Sequence, residues 1–355
     1  MLCSKKAALA RLFLLGILII SVSGDSACGF GAEPRPGPVQ YRPLMLDPVF
    51  IPSKMADTFH MNPMVFYGND FLKPGEFDFD LAIGTFGTDF SKAESLIWLE
   101  EDTDWAVYSD YAWRFGLTEE VGPLTLPIEL VTQIPLFFST GGMTSSFRPN
   151  TATPWTQVDE VEDDGVAMGK WVWGLRMGLI QESHYLPSLS LQTSVGIPVD
   201  RELASSGVDY DVRLNFQKYF CRGITGTLYG GFLFPGDGRD IFNDLGIREE
   251  DNVPYFGLMT DINFAQLCGS HDPGRVWLHL GGSWREAVYD FGSEGPDYAE
   301  EEVKLTAGLT VDLGYWGRRI GCPQGMLGVS HNAAGGPEEG EFEFYTRLNF
   351  PFEFD

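Results

Sequence analysis

The sequence predicts an all-β fold, a transmembrane antiparallel β-barrel of about twelve strands, and three observations carry that prediction. Apolar and polar residues alternate with a period of two along most of the chain. The alternating segments run to roughly ten to fifteen residues, whereas strands of soluble proteins average about 5–6 and a tilted bilayer-crossing strand needs ~9–11. The connections between them alternate between long and short, the layout of barrels with long outer loops and short periplasmic turns.

The chain has 355 residues, 50 of them acidic against 24 basic, for a formal net charge of −26. Phosphate contacts need clustered Lys and Arg, so this balance argues against nucleic-acid binding. An aromatic content of 14% argues against disorder. At the N-terminus, Lys5, Lys6 and Arg11 precede the apolar run Leu12 to Val22, followed by small residues. This is the pattern of a secretory signal peptide, expected over 1–28 with cleavage between Gly24 and Ala32. The run is too short for a spanning helix, which needs ~20 apolar residues. Cys28 is a candidate for lipidation, although Asp25 stands where such a signal wants an aliphatic residue. Residues 29–75 are Pro-rich and read as a periplasmic arm or a plug folded inside the barrel, which takes up 76–355.

Strands are expected near 77–90, 104–117, 124–137, 169–181, 187–199, 207–220, 223–234, 254–266, 275–290, 302–315, 325–332 and 342–354, the eleventh being the weakest. In the sixth, Val208, Tyr210, Val212, Leu214 and Phe216 share one face, and Asp209, Asp211, Arg213, Asn215 and Gln217 share the other. In the last, Phe342, Phe344, Leu348, Phe350, Phe352 and Phe354 oppose Glu341, Glu343, Arg347, Asn349 and Glu353. A soluble sandwich turns such an apolar face inward, and a membrane barrel turns it outward. Long connections are expected at 91–103, 139–168, 235–253 and 291–301, and short ones at 118–123 and at Cys221-Arg222. The even count puts both ends of the barrel at the short-turn side. The aromatic end, Phe350-Pro351-Phe352-Glu353-Phe354, resembles the C-terminal signal read by the barrel-assembly machinery, with Asp355 as a departure.

Among these segments, Tyr111-Ala112-Trp113-Arg114-Phe115-Gly116-Leu117, Leu126-Pro127-Ile128-Glu129-Leu130 and Ile134-Pro135-Leu136 form recognisable motifs. Gly141-Gly142 follows, then Gly328-Val329-Ser330-His331-Asn332 and the stretch from Glu341 to Phe350. With them the chain resembles, over about 60–350, the bacterial outer-membrane family catalogued as domain of unknown function 3187. The resemblance implies an exported barrel and supplies no catalytic residues.

Lumen-facing charges are the leading functional candidates: Arg114, Arg176, Arg213 and Arg347, with Asp110, Glu129 and Asp261. Rings of charge select ions in pores. The competing reading is that acids and arginines pair across a narrow lumen and fill it, because unpaired buried charge is costly. Cys221, Cys268 and Cys322 all fall in expected short turns of an oxidising compartment, so Cys221–Cys268 or Cys268–Cys322 is a candidate disulfide. No CxxC is present, and no histidine spacing suits a metal. Ser330-His331-Asn332 has the residue types of an outer-membrane phospholipase, but neighbours on a strand point to opposite faces. The acidic runs Asp159-Glu160-Val161-Glu162-Asp163-Asp164, Arg248-Glu249-Glu250-Asp251 and Glu300-Glu301-Glu302 read as solvated loops with some capacity to gather divalent cations. The expectation is a narrow channel or uptake protein for a small polar or ionic solute, with no cofactor and no catalytic residues. Its partners are then outer-membrane lipid, lipopolysaccharide and the barrel-assembly machinery. A structural or surface-interaction barrel is the alternative, and an outer-membrane hydrolase the third.

Overall fold

The computed structural model describes residues 71–86, 91–94, 98–102, 105–118, 127–140, 143–147, 156–161, 165–183, 185–199, 207–221, 223–236, 248–249, 252–268, 275–286, 289–290, 301–313, 323–334 and 342–353. Twelve long strands make the barrel: β1 (Glu76–Phe86), β2 (Trp105–Thr118), β3 (Ile128–Thr140), β4 (Trp171–Ile180), β5 (Ser188–Ile197), β6 (Asp209–Cys221), β7 (Ile224–Phe234), β8 (Val253–Asn263), β9 (Val276–Arg285), β10 (Glu302–Asp312), β11 (Gln324–Ala334) and β12 (Phe342–Glu353). Each pairs antiparallel with the next, and β12 pairs with β1 from Glu76↔Glu353 to Thr85↔Phe344, so the ring closes. Strand lengths run from 10 to 14 residues, as a tilted crossing requires.

Burial decides which way the alternation faces. On β6, Tyr210, Val212 and Leu214 are 55%, 40% and 39% exposed, while Asp209, Asp211, Arg213 and Asn215 are at most 1% exposed. A sandwich would show the reverse. The apolar stripe therefore faces outward and the polar stripe lines the interior, the arrangement of a membrane barrel. Aromatic pairs flank this outer band. Phe77 packs against Phe115 and Phe352 at the short-turn end, with ring centroids 4.8 and 5.5 Å apart. Trp171–Trp173 and Phe256–Trp284 do the same at the long-loop end, at 5.0 and 5.2 Å. Such girdles suit the two membrane interfaces.

The strands are staggered. A single row of paired residues runs Glu129↔Arg176, Arg176↔Gln192, Gln192↔Arg213, Arg213↔Gly231, Gly231↔Tyr255 and Tyr255↔Arg285. It starts at the second residue of β3, by the short-turn rim, and ends at the last residue of β9, by the long-loop rim. That climb is the shear a closed barrel needs.

Expected and observed strands differ mainly at their ends. The third begins at Ile128 instead of 124, and the eleventh extends to Gln324–Ala334. The ninth stops at Arg285, and Tyr289–Asp290 instead pairs with Arg248–Glu249. Residues expected to finish the eighth strand form one helical turn, Phe264–Leu267. The Asn263 side chain caps it by accepting from the Gln266 N–H at 3.1 Å. Segments expected as loop hold a four-stranded sheet of Ser91–Glu94, Trp98–Asp102, Met143–Phe147 and Thr156–Val161, and Gly165–Met168 pairs with β3. The expected signal segment and most of the N-terminal arm lie outside the described residues.

Candidate functional site: the barrel lumen

Inward-facing side chains fall into groups set by their strand neighbours. Across β1 to β4 the charges alternate in sign. Arg114 pairs with Asp78 and also approaches Glu129 at 3.8 Å, and Glu129 pairs with Arg176. Beside them, Arg347 on β12 bonds Asp80 at 3.1 Å, and Asn349 donates to the same carboxylate oxygen at 3.1 Å. Glu129 and Arg176 are both fully buried. In a dry interior each charge is expensive alone, so the alternation lets each lie against its opposite.

Across β6 to β8 the filling is aromatic. Tyr229 on β7 lies over Gly257 on β8, and Tyr255 on β8 lies over Gly231 on β7, where added Cβ atoms would collide with the rings. Gly231 thereby gives Tyr255 a way past β7, and its hydroxyl donates to Asp211 on β6 at 2.5 Å. Arg213 sits over the Tyr229 ring, 5.2 Å from its centroid. The same joint recurs where Tyr345 on β12 covers Gly328 on β11. These strand-internal glycines serve as seats for rings.

Three smaller clusters lie along the wall. On β8 to β10, Asp261 bonds His279 Nδ1, and His279 Nε2 lies 2.7 Å from the Thr310 hydroxyl. Towards the long-loop rim, Arg285 pairs with Glu302 at 2.9 Å. Lys304 reaches Glu302 at 3.3 Å and Glu343 at 3.6 Å. Also at that rim, Lys170 bonds Asp209 at 2.6 Å and the Gly207 carbonyl at 2.9 Å.

All seven charges singled out from the sequence lie on the inward face and are buried. Their partners are only partly those expected. Arg176 does meet Glu129, but Arg347 meets Asp80, Asp110 accepts from Gln133 Nε2 at 2.8 Å, and Asp261 meets a histidine. Sequence reading missed Asp78, Asp80, His279, Lys304, Tyr229 and Tyr255. Their inward parity was available, but the strand opposite each was not.

The remaining candidates separate. Ser330 is buried on the inward face, while His331 stacks outward on Phe342 at 4.5 Å, so the two form no nucleophile–base pair. Cys268 is a free, exposed thiol after the helical turn, so the structure carries no disulfide through it. The Cys221 side chain and all of Cys322 lie outside the description.

No protein-family model matches the chain, and no curated protein matches it. Solved structures do. The COG4313 outer membrane channel from Pseudomonas putida F1 is 15% identical with a TM-score of 0.51, over 81% of this chain and 100% of that one. A Pseudomonas aeruginosa FadL homologue aligns at 6% identity and TM-score 0.40, over 79% of this chain and 90% of that one. The TodX deltaS2S3 mutant monoaromatic hydrocarbon channel aligns at 8% and 0.39, over 80% and 91%. At these identities the likeness is one of fold, and only the first is close enough to support it. With the inverted burial, it makes this chain a closed twelve-stranded antiparallel β-barrel with its apolar face outward, the fold of that outer membrane protein.

Proposed function

We propose that the protein is a narrow channel of the bacterial outer membrane for a small polar or ionic solute. The observation that carries this reading is the polar and charged face that all twelve strands turn into the lumen. The pairing within it sets the size of the path: side chains such as Arg176 and Arg213 are fully buried, so any passage is constricted. The resemblance to the domain of unknown function 3187 family fits the same reading, as do lipid, lipopolysaccharide and the assembly machinery as partners. Divalent cations at the acidic outer segments belong to the same proposal.

Planar-bilayer recordings of the purified protein test it. The expected result is a small, reproducible conductance whose reversal potential in a salt gradient moves toward cation selectivity when Arg176, Arg213 and Arg347 are neutralised together. Selectivity unchanged by the triple substitution rejects the arginines as selectivity groups. The ion pairs favour one second reading, a filled barrel with a structural or surface-binding role, and absence of conductance selects it.

A further inference from the structure

The five residues ahead of β1 do not hang below the barrel. They cross its inner wall at the short-turn end. Glu76 N–H donates to the Lys73 carbonyl at 2.9 Å, closing a turn in which Gly75 takes φ +87°, a conformation that favours glycine. The chain then passes β2, where Gly116 leaves room for the Lys73 carbonyl that a Cβ would strike. At β3 the Leu72 N–H donates to the Glu129 carboxylate, and Leu72 itself is buried. At β4 the Phe71 ring lies 5.0 Å from the Arg176 guanidinium, and a Cβ on Gly178 would come within 3.1 Å of it. Gly116 and Glu129 are paired across β2 and β3, so they form one seat. Glu129 offers one oxygen to the Leu72 N–H and the other to Arg176.

We infer that residues 71–75 are an internal strap, latched across the short-turn mouth of the lumen by Glu129 and Gly116, and that releasing it widens that mouth. The widening rests on the channel reading above; the latch does not. The seat has features of a docking site: glycines where the strap passes closest, and a buried carboxylate that receives its backbone. Because Glu129 also holds Arg176, the latch is tied to the ion pairs of the lumen.

Chymotrypsin on the full-length, detergent-folded protein reads the latch at the Phe71–Leu72 bond, with the new N-terminus identified by mass. Cleavage of a docked segment follows the population of its open form. The wild type should be cut slowly, and Glu129→Gln and Gly116→Val should each be cut roughly tenfold faster or more. Heat-modifiability on gels identifies the folded fraction, and two variants of different kind guard against one failing to fold. Equal cleavage in all three folded proteins overturns the strap. Bilayer conductance of the same samples reads the mouth: it should rise in both variants. Faster cleavage with unchanged, measurable conductance overturns the gating role. Faster cleavage with no current from any sample supports the latch and rejects the channel reading.

Discussion

Across β1 to β4 the lumen is filled by guanidinium and carboxylate groups set side by side, whereas across β6 to β8 it is filled by tyrosine rings laid on glycines. The first solution depends on charge balance. Removing any one group leaves its partner stranded, and shape matters less because long side chains adjust. The second depends on shape. A ring needs a missing side chain opposite, and the glycine needs the ring to cover its backbone. The ion-paired arc also carries the strap contacts, so it is the arc that communicates with the mouth.

The largest effect is expected where charge balance is broken. Asp80→Asn takes away the carboxylate shared by Arg347 and Asn349 and should destabilise the barrel by ~3–5 kcal/mol, read by urea unfolding in lipid. The double variant Asp80→Leu with Arg347→Met should recover much of that loss. If the double variant is as unstable as the single one, charge balance is not what this arc depends on.

The outer face sets a reference for both arcs. Leu214→Arg, in mid-strand on the lipid side, should cost ~2–4 kcal/mol in the same measurement. No loss there would contradict the outward orientation of the apolar stripe. In the aromatic arc, Tyr255→Phe keeps the ring over Gly231 but loses the hydroxyl bond to Asp211, a loss of ~1.5–3 kcal/mol for a bond to a charged acceptor. A loss near zero would assign the joint to ring packing alone.

The alternation was readable because it is local: each residue's face follows from its neighbours two positions away. About twelve strands, the two faces of β6 and the shared polar-face placement of Arg114, Arg176, Arg213 and Arg347 came from that period; which face points inward needed strand length and loop pattern as well, and burial settles it. Pairing was not readable, since it depends on register between strands. The motif around Glu129 showed an inward acid but not that Arg176, Arg114 and the Leu72 amide all converge on it. His279 looked like an isolated histidine until β8 and β10 brought Asp261 and Thr310 to its two ring nitrogens. The eleventh strand read weakly because Met326 lies on the inward face while Gly325 and His331 lie on the outward one, which blurs the contrast between faces. Its hydrogen bonding to β10 and β12 supplies the order that its own sequence states faintly.

The bond between Arg347 and Asp80 joins residues 267 positions apart, on the last and first strands. Every other seam of the ring joins neighbours in sequence, and such pairs form with little loop-closure cost. The β1–β12 seam cannot form until β12 has been made, so β1 must wait with an unpaired edge that invites wrong partners. A buried ion pair placed there rewards only the correct closing register, because a one-residue slip would turn one of the two charges into lipid and leave the other unpaired. In the order of assembly, this pair is the last event and the check on all those before it.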